Sequence, residues 1–254
     1  FAPSQNKKGQ GFHFALAHFT GNREAIGVLG SMGEWQAQIR LDSQTGDVIS
    51  SKILTYGPIG GILYSMDSGL TWEASSLNGK MVSALSPDRQ HENHAYAITA
   101  EREGMTSYQT DDGGRTWQRM GYLPKEAGNW PFDLLTITDS SRRVLLLVGT
   151  WSGLWSSQDG QNWSHIEGLP EGPGQWLAAI QSEQGHRLLV SISAGENRGL
   201  YSSGDLRTWI KLEDQAYRFS ESYDRKAVLA TSEKKIGQGL LFGIESKREV
   251  QLPA

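Results

Sequence analysis

The feature that most constrains this chain is a tryptophan that returns at Trp72, Trp117, Trp163 and Trp209, with spacings of 45, 46 and 46 residues. Each one closes a short polar turn, and the segments between read as short β-rich runs rather than helices. A fixed period of that size in strand-like segments predicts a β-propeller, in which each repeat is one four-stranded blade. The fold class expected is therefore all-β, a single propeller of antiparallel blades.

The turns share a chemistry. Ser65-Met66-Asp67-Ser68-Gly69-Leu70-Thr71-Trp72 and Thr110-Asp111-Asp112-Gly113-Gly114-Arg115-Thr116-Trp117 follow one pattern, S/T-x-D-x-G-x-T-W. Ser157-Gln158-Asp159-Gly160-Gln161-Asn162-Trp163 and Ser203-Gly204-Asp205-Leu206-Arg207-Thr208-Trp209 are one residue tighter but keep hydroxyl, carboxylate and indole in order. An Asp in a tight turn accepts backbone N–H bonds from residues ahead of it, and Ser or Thr ties down the incoming strand. The Trp is expected to pack between neighbouring sheets.

These residues resemble the Asp-box, or BNR, repeat of sialidases, sortilin-type receptors, xyloglucan-degrading hydrolases and photosystem II assembly factors. The resemblance covers about residues 35–216. It implies that the boxes lie on the hairpins between third and fourth strands, at the edge opposite the usual ligand face. Asp67, Asp112, Asp159 and Asp205 are accordingly read as structural, with Trp72, Trp117, Trp163 and Trp209.

The chain has 254 residues, 30 of them Gly, and 37% are hydrophobic, which suits one domain over 1–254 better than two. Its formal net charge of −4 gives no basic footprint for nucleic acid. No apolar run is long enough for a membrane span. There is no cysteine, which excludes disulfides, thiolate metal sites and a Cys nucleophile. Phe1 in place of an initiator Met, together with the company the Asp-box keeps, implies a periplasmic or secreted protein. A monomer without cofactor is expected.

Each box is preceded by Gly and an apolar strand, as in Gly61-Ile62-Leu63-Tyr64, Gly153-Leu154-Trp155 and Gly199-Leu200-Tyr201. A decayed fifth copy runs from Gly239-Leu240-Leu241-Phe242 to Val250, which takes the Trp register. The repeats are clear over 35–254, and 1–34 supply first-blade or ring-closing strands. Phe12 to Phe19, Glu24 to Gly30 and the hairpin from Trp35 support two registers. Either they make a first blade of their own, or Trp35 opens the second blade. Six blades with one reduced are favoured over five.

Function is expected on the face opposite the boxes, from the loops leading into first strands and those joining second to third strands. The former carry Trp130, Trp176 and Tyr217, and the latter Tyr56, Trp151, Glu101-Arg102-Glu103 and Glu196-Asn197-Arg198. Aromatics with a few charges around one mouth suit a sugar ring or an extended peptide. The binding residues expected are Trp130, Trp151, Trp176, Tyr56, Tyr217 and Arg198, with Lys234 and Lys235 in the same region. Trp130 and Trp176 stand one blade period apart, so packing between blades is the competing reading for both.

Catalysis has weaker support. A sialidase needs matched arginines and an Arg-Ile-Pro motif near the N-terminus; the nearest stretch, Tyr217-Arg218-Phe219, is near the other end and lacks the Pro. Another glycoside hydrolase would need two carboxylates roughly 5 to 10 Å apart. Asp133, Glu101 and Glu196 are the candidates, with Glu103 beside them. His91-Glu92-Asn93-His94 has a metal-like spacing but no apparent third ligand, so no metal is expected. The preferred reading is a non-catalytic recognition or assembly propeller for a polypeptide or glycan partner, and the alternative is a glycoside hydrolase.

Overall fold

The computed structural model describes the backbone of residues 12–19, 25–31, 34–41, 48–57, 60–67, 71–101, 103–138, 143–172, 175–182, 185–222, 225–232, 238–243 and 246–252, and within these the side chains from residue 61 onward except those of Gln175 and Ser182. Lys234, Lys235 and Arg102 lie outside the described residues, as does the side chain of Tyr56. The chain divides into two compact units. One comprises residues up to Val82 with His91–His94 and Thr110–Trp117; the other comprises Ser83–Gln90, Ala95–Gln109 and the chain from Gln118 onward.

In the first unit, β1 (Phe12–Phe19) and β2 (Ala25–Ser31) pair antiparallel, β3 (Glu34–Leu41) pairs with β4 (Val48–Gly57), and β5 (Gly60–Ser65) returns to β2, followed by β6 (Glu73–Ala74). The sheet order is β1-β2-β5-β6, with β3-β4 as a two-stranded ribbon inserted between its second and third strands. Neither sequence register anticipated this. The apolar, Gly-flanked run Gly60–Ser65 pairs with Ala25–Ser31, while 34–41 and 48–57, with their alternating polar residues, pair with each other.

The second unit holds four-stranded antiparallel sheets of one design. They are β7 (Val82–Pro87) to β10, with β8 (Ala95–Glu101), β9 (Gly104–Thr110) and β10 (Gln118–Tyr122); then β11 (Pro131–Thr138), β12 (Val144–Thr150), β13 (Gly153–Ser157) and β14 (Ser164–His165). Next come β15 (Gln175–Ser182), β16 (Gly185–Ile192), β17 (Gly199–Ser203) and β18 (Ile210–Glu213), then β19 (Arg218–Glu221), β20 (Val228–Thr231), β21 (Gln238–Phe242) and β22 (Lys247–Gln251). The second strands β12 and β16 are apolar runs buried on both faces, whereas the fourth strands β10, β18 and β22 are mostly exposed, which is why Gln, Arg, Lys and Glu collect there.

Cores form between consecutive sheets. Ile98 and Met105 meet Leu146, Val148 and Trp155; Leu147 and Leu154 meet Leu188, Val190 and Ile192; Ile180, Leu189 and Leu200 meet Val228, Leu240 and Phe242. Each such fully buried side chain contributes roughly 1.5–3 kcal/mol. Trp163 packs on the first of these clusters and Trp209 on the second.

In the four polar turns the carboxylates accept from residues on either side of them. Asp67 Oδ1 accepts from Ser65 Oγ at 2.8 Å and from the Thr71 N–H at 2.8 Å. Asp112 does the same with Thr110 Oγ1 and the Thr116 N–H, at 2.8 and 3.0 Å. In the tighter copies, Asp159 accepts the Gln161 and Asn162 N–H groups at 2.9 and 2.8 Å, and Asp205 those of Arg207 and Thr208 at 2.8 and 2.7 Å. These donors hold the carboxyls of Asp159 and Asp205 well below the usual carboxylate range. Trp117 and Trp163 donate Nε1–H to Gly114 O and Gly160 O at 3.0 and 3.1 Å. Leu206 replaces the turn glycine at φ 61°, and there the Trp209 indole N–H has no partner. The fifth hairpin closes on Gly243 N–H to Ser246 O at 3.0 Å, without an Asp.

At the same end, the connection after β19 makes a charged hub. Arg225, 4% exposed, donates through Nε to Glu221 Oε2 at 3.1 Å and through Nη1 to Thr136 O in β11. Glu221 also accepts the Ala179 N–H at 2.7 Å and Arg89 Nη2 at 3.3 Å, and Arg225 O accepts the Gln181 N–H at 2.8 Å. Four sheets of this unit thus share one ion-pair cluster.

Candidate functional site

In an antiparallel meander, successive connections alternate ends, so the Asp turns share an end with the first-to-second connections. The loops into first strands and the second-to-third connections share the other. At that second end, Trp176, Ser193, Arg198, Ala216, Tyr217, Arg218, Thr231 and Ser232 line a cavity of about 120 Å3. They come from the start of β15, the β16–β17 connection, the start of β19 and the end of β20. Three residues expected to bind, Trp176, Arg198 and Tyr217, are brought together here.

The surroundings fix this wall. Ser191 Oγ accepts the Tyr217 N–H at 2.7 Å, holding the start of β19 against the preceding sheet. Tyr201 Oη donates to Asn197 O at 2.8 Å and Asn197 Nδ2 to Glu171 O at 2.9 Å, pinning the loop that presents Arg198. The Arg218 guanidinium lies 3.5 Å from the centre of the Trp176 ring, a cation–π stack across two sheets. Trp176 is therefore half-buried beneath a cation, rather than clamped in a core. Arg198 Nε and Tyr217 Oη are buried and have no hydrogen-bond partner. Burial pushes the Tyr217 phenol upward, with Glu213 and Glu249 adding to the effect.

Trp151 and Trp130 lie apart from this cavity. Trp151 is 56% exposed and Trp130 38%. Phe132 meets Trp151 edge-on at 5.0 Å. The turn carrying Trp151 is set by Thr150 Oγ1, which donates to Gly153 O at 3.0 Å, and by Ser152 Oγ, which accepts the Trp155 indole N–H at 3.3 Å. Gly153 has φ 121°, and a Cβ there would sit 2.5 Å from His165 Nε2, so only glycine closes the turn. Tyr56 falls in β4 opposite Trp35, within the ribbon that joins the second and third strands of the first sheet.

The carboxylates do not gather at the cavity. Asp133 accepts the Leu134 N–H at Oδ1 and the Leu177 N–H at Oδ2, both at 2.9 Å. Its carboxyl is a clamp between β11 and β15, next to Trp176. Loss of water around it pushes its pKa up to about 7; the two N–H bonds act against this, Glu221 adds to it and Arg218 opposes it. Glu101 accepts Thr99 Oγ1 at 2.9 Å and Tyr108 Oη at 3.2 Å. Glu103 and Glu196 are exposed. His91 and His94 stand with ring centres 5.5 Å apart, and among the described residues no group of three His, Cys, Asp or Glu could hold a metal. No helix of the described residues is long and apolar enough to cross a membrane.

Sequence reasoning did not name Arg218, Ser193, Thr231 and Ser232, which also line this cavity. The signal for Arg218 was its position beside Tyr217 at the start of a first strand, the place Trp176 takes one sheet earlier. The hydroxyls carry no sequence signal, since Ser and Thr are common in every loop.

Comparison with solved structures adds the architecture. The chain is similar to the Dos1 propeller at 10% identity and a TM-score of 0.50, over 86% of this chain and 65% of that one. This chain is a β-propeller. It is also similar to the GH74 enzyme of Niastella koreensis (17% identity, TM-score 0.55, 84% of this chain and 36% of that one). The SapL1 lectin, solved with alpha methyl fucoside, matches at 12% identity and a TM-score of 0.54, over 95% of this chain and 96% of the lectin. The propeller thus spans about a third of the length of the GH74 enzyme. No protein-family model and no curated protein matches the sequence. At these identities the likeness is one of fold.

Proposed function

We propose that this propeller is a non-catalytic recognition module, monomeric and periplasmic or secreted, that binds a glycan or polypeptide partner at the end of its sheets opposite the Asp turns. The observation that carries this reading is the cavity at Trp176, Arg198, Tyr217 and Arg218, whose wall has buried donors without partners and, among the described residues, no carboxylate. Unpaired donors on a pinned wall are what a ligand satisfies, and hydrolysis there would lack its acid. Exposed Trp151 and Trp130 extend the same end with flat apolar surface suited to a sugar face. A match to a lectin over nearly its whole length accords with this.

A glycoside hydrolase is the second reading, and one observation favours it: Asp133, with its pKa at about 7, has the proton a general acid would need. Against it, both oxygens of Asp133 already face backbone N–H groups. The deciding experiment is a glycan-array and polysaccharide pull-down with reducing-end release assayed on every hit. Binding without release, weakened by Trp176→Ala or Trp151→Ala, supports the recognition module. Release that disappears in Asp133→Asn or Glu196→Gln replaces it with the hydrolase.

A further inference from the structure

The turn that follows β6 carries the sole Asn-Gly step of the sequence, Asn78-Gly79. The Lys80 N–H donates to Leu77 O at 3.1 Å across this turn, and Gly79 takes φ 82°, which is why glycine stands there. A Cβ on Gly79 would meet nothing within 4 Å, so the space beside its backbone is open. Asn78 is exposed, and among the described residues neither its side-chain amide nor the Gly79 N–H has a hydrogen-bond partner. The other asparagines with described side chains differ. Asn162 Nδ2 donates to Asp159 Oδ2 at 2.7 Å, Asn197 Nδ2 donates to Glu171 O at 2.9 Å, and Asn93 has its side-chain oxygen buried. Those three and Asn129 each precede a bulky residue, Trp163, Arg198, His94 and Trp130. In the Asp-Gly steps, Asp112-Gly113 and Asp159-Gly160, backbone N–H groups of the turn hold the carboxylates.

A free asparagine amide next to an unhindered, unbonded glycine nitrogen is set up for self-modification. The Gly79 nitrogen, after losing its proton to hydroxide, attacks Asn78 Cγ. A C–N bond forms, the Cγ–Nδ2 bond breaks, and Nδ2 leaves as ammonia, closing a cyclic imide. Water then opens the ring. Cleavage at Cγ gives aspartate, whereas cleavage at the main-chain carbonyl carbon gives isoaspartate, in which the backbone runs through Cβ and Cγ and is one carbon longer. The place of the turn gives that extra carbon a consequence. The Ser76 N–H donates to Arg115 O at 3.0 Å and Ser76 Oγ accepts the Trp117 N–H at 2.8 Å, so the turn after β6 holds the second Asp turn. A Cβ on Gly61 would sit 2.8 Å from Asn78 Cα, so the same turn lies tight on β5 with no slack for a longer backbone. We infer that Asn78 is a site of spontaneous deamidation in the native fold, and that its isoaspartyl form loosens the hold of residues 75–80 on the turn 110–117.

The test ages the whole folded chain at pH 6 and pH 8 and follows each asparagine by peptide mass spectrometry, with isoaspartate counted by enzymatic methylation. The result expected is loss of the Asn78 amide ahead of every other asparagine, faster at pH 8 because the attacking nitrogen must lose its proton, with isoaspartate among the products. Asn78→Gln, aged alongside, shows no change at this position, since its longer side chain closes a less favourable ring; the site is exposed, so the variant keeps the fold. The aged fraction, separated by its added negative charge, melts below the fresh chain. Asn78→Asp adds the same charge without the extra backbone carbon and melts with the fresh chain. Another asparagine reacting first, or Asn78 reacting far more slowly in the folded chain than in a free peptide of residues 75–82, would overturn the site. Equal melting of aged and fresh chains, or an equal fall in Asn78→Asp, would overturn the loosening and leave the site standing.

Discussion

Asp133 gives the sharpest test of the physical account. Its carboxyl sits between two inner strands, with its pKa raised from 3.8 to about 7 because burial penalises the charge more than two N–H bonds reward it. A folded-state pKa above the unfolded value means that the folded chain holds the proton more tightly. The stability this contributes is complete below pH 3.8, falls as pH rises, and is gone once pH has passed about 7. About three pH units at roughly 1.4 kcal/mol each give at most about 4 kcal/mol, of which roughly 2–3 kcal/mol is lost between pH 5 and pH 8. In Asp133→Asn this slope is absent. The amide keeps one acceptor but turns an NH2 toward the second N–H, so the variant is less stable than the parent at pH 5 by about 1–3 kcal/mol. Above pH 7 the gap closes or reverses. Urea unfolding at pH 5, 6, 7 and 8 measures both chains. His186, whose pKa burial lowers, is common to both chains and cancels in the difference. Parallel stability profiles for the two chains over pH 5–8 would refute the reasoning, because they would mean that Asp133 ionises as an ordinary carboxyl.

Other perturbations separate the remaining parts. Arg225→Ala should cost about 3 kcal/mol in urea unfolding, since it leaves half-buried Glu221 beside Arg89 without its closer partner. Trp155→Ala should cost about 3–5 kcal/mol, as a buried core indole, whereas Trp151→Ala, 56% exposed, should change the melting temperature little and act on binding. Asp159→Ala should lower the melting temperature at pH 7 and reduce the further loss at pH 3. The stability from its depressed pKa is present above the ordinary carboxylate range and lost as pH falls below it.

How much of this was legible in the sequence depends on whether the determinant was local. The Asp turns could be read because every bond to Asp112 or Asp159 is made within five residues, so composition and spacing carry the whole geometry. The second and third strands were legible for a similar reason, as apolar runs between glycines. The pairing of β2 with β5 was not, because it skips over a hairpin that satisfies itself. Asp133 looked like a candidate acid while it was only a carboxylate in a loop. Its partner, the Leu177 N–H, lies 44 residues away and is invisible until the sheets are set side by side. The Arg218–Trp176 stack is equally non-local, whereas the exposure of Trp151 was foreseeable from its place between a strand end and Ser152-Gly153.

Repeat proteins are often treated as chains of near-independent modules, each answering only to its neighbours, so that a module can be trimmed or added with a local cost. The Arg225 hub breaks that description here. Its guanidinium reaches Thr136, past the intervening sheet, while Glu221 takes in Arg89 from one sheet further still. Deleting the sheet that carries Thr136 or the one that carries Ala179 and Gln181 would take away backbone partners that Arg225 and Glu221 use. The four sheets are therefore expected to melt together rather than one by one.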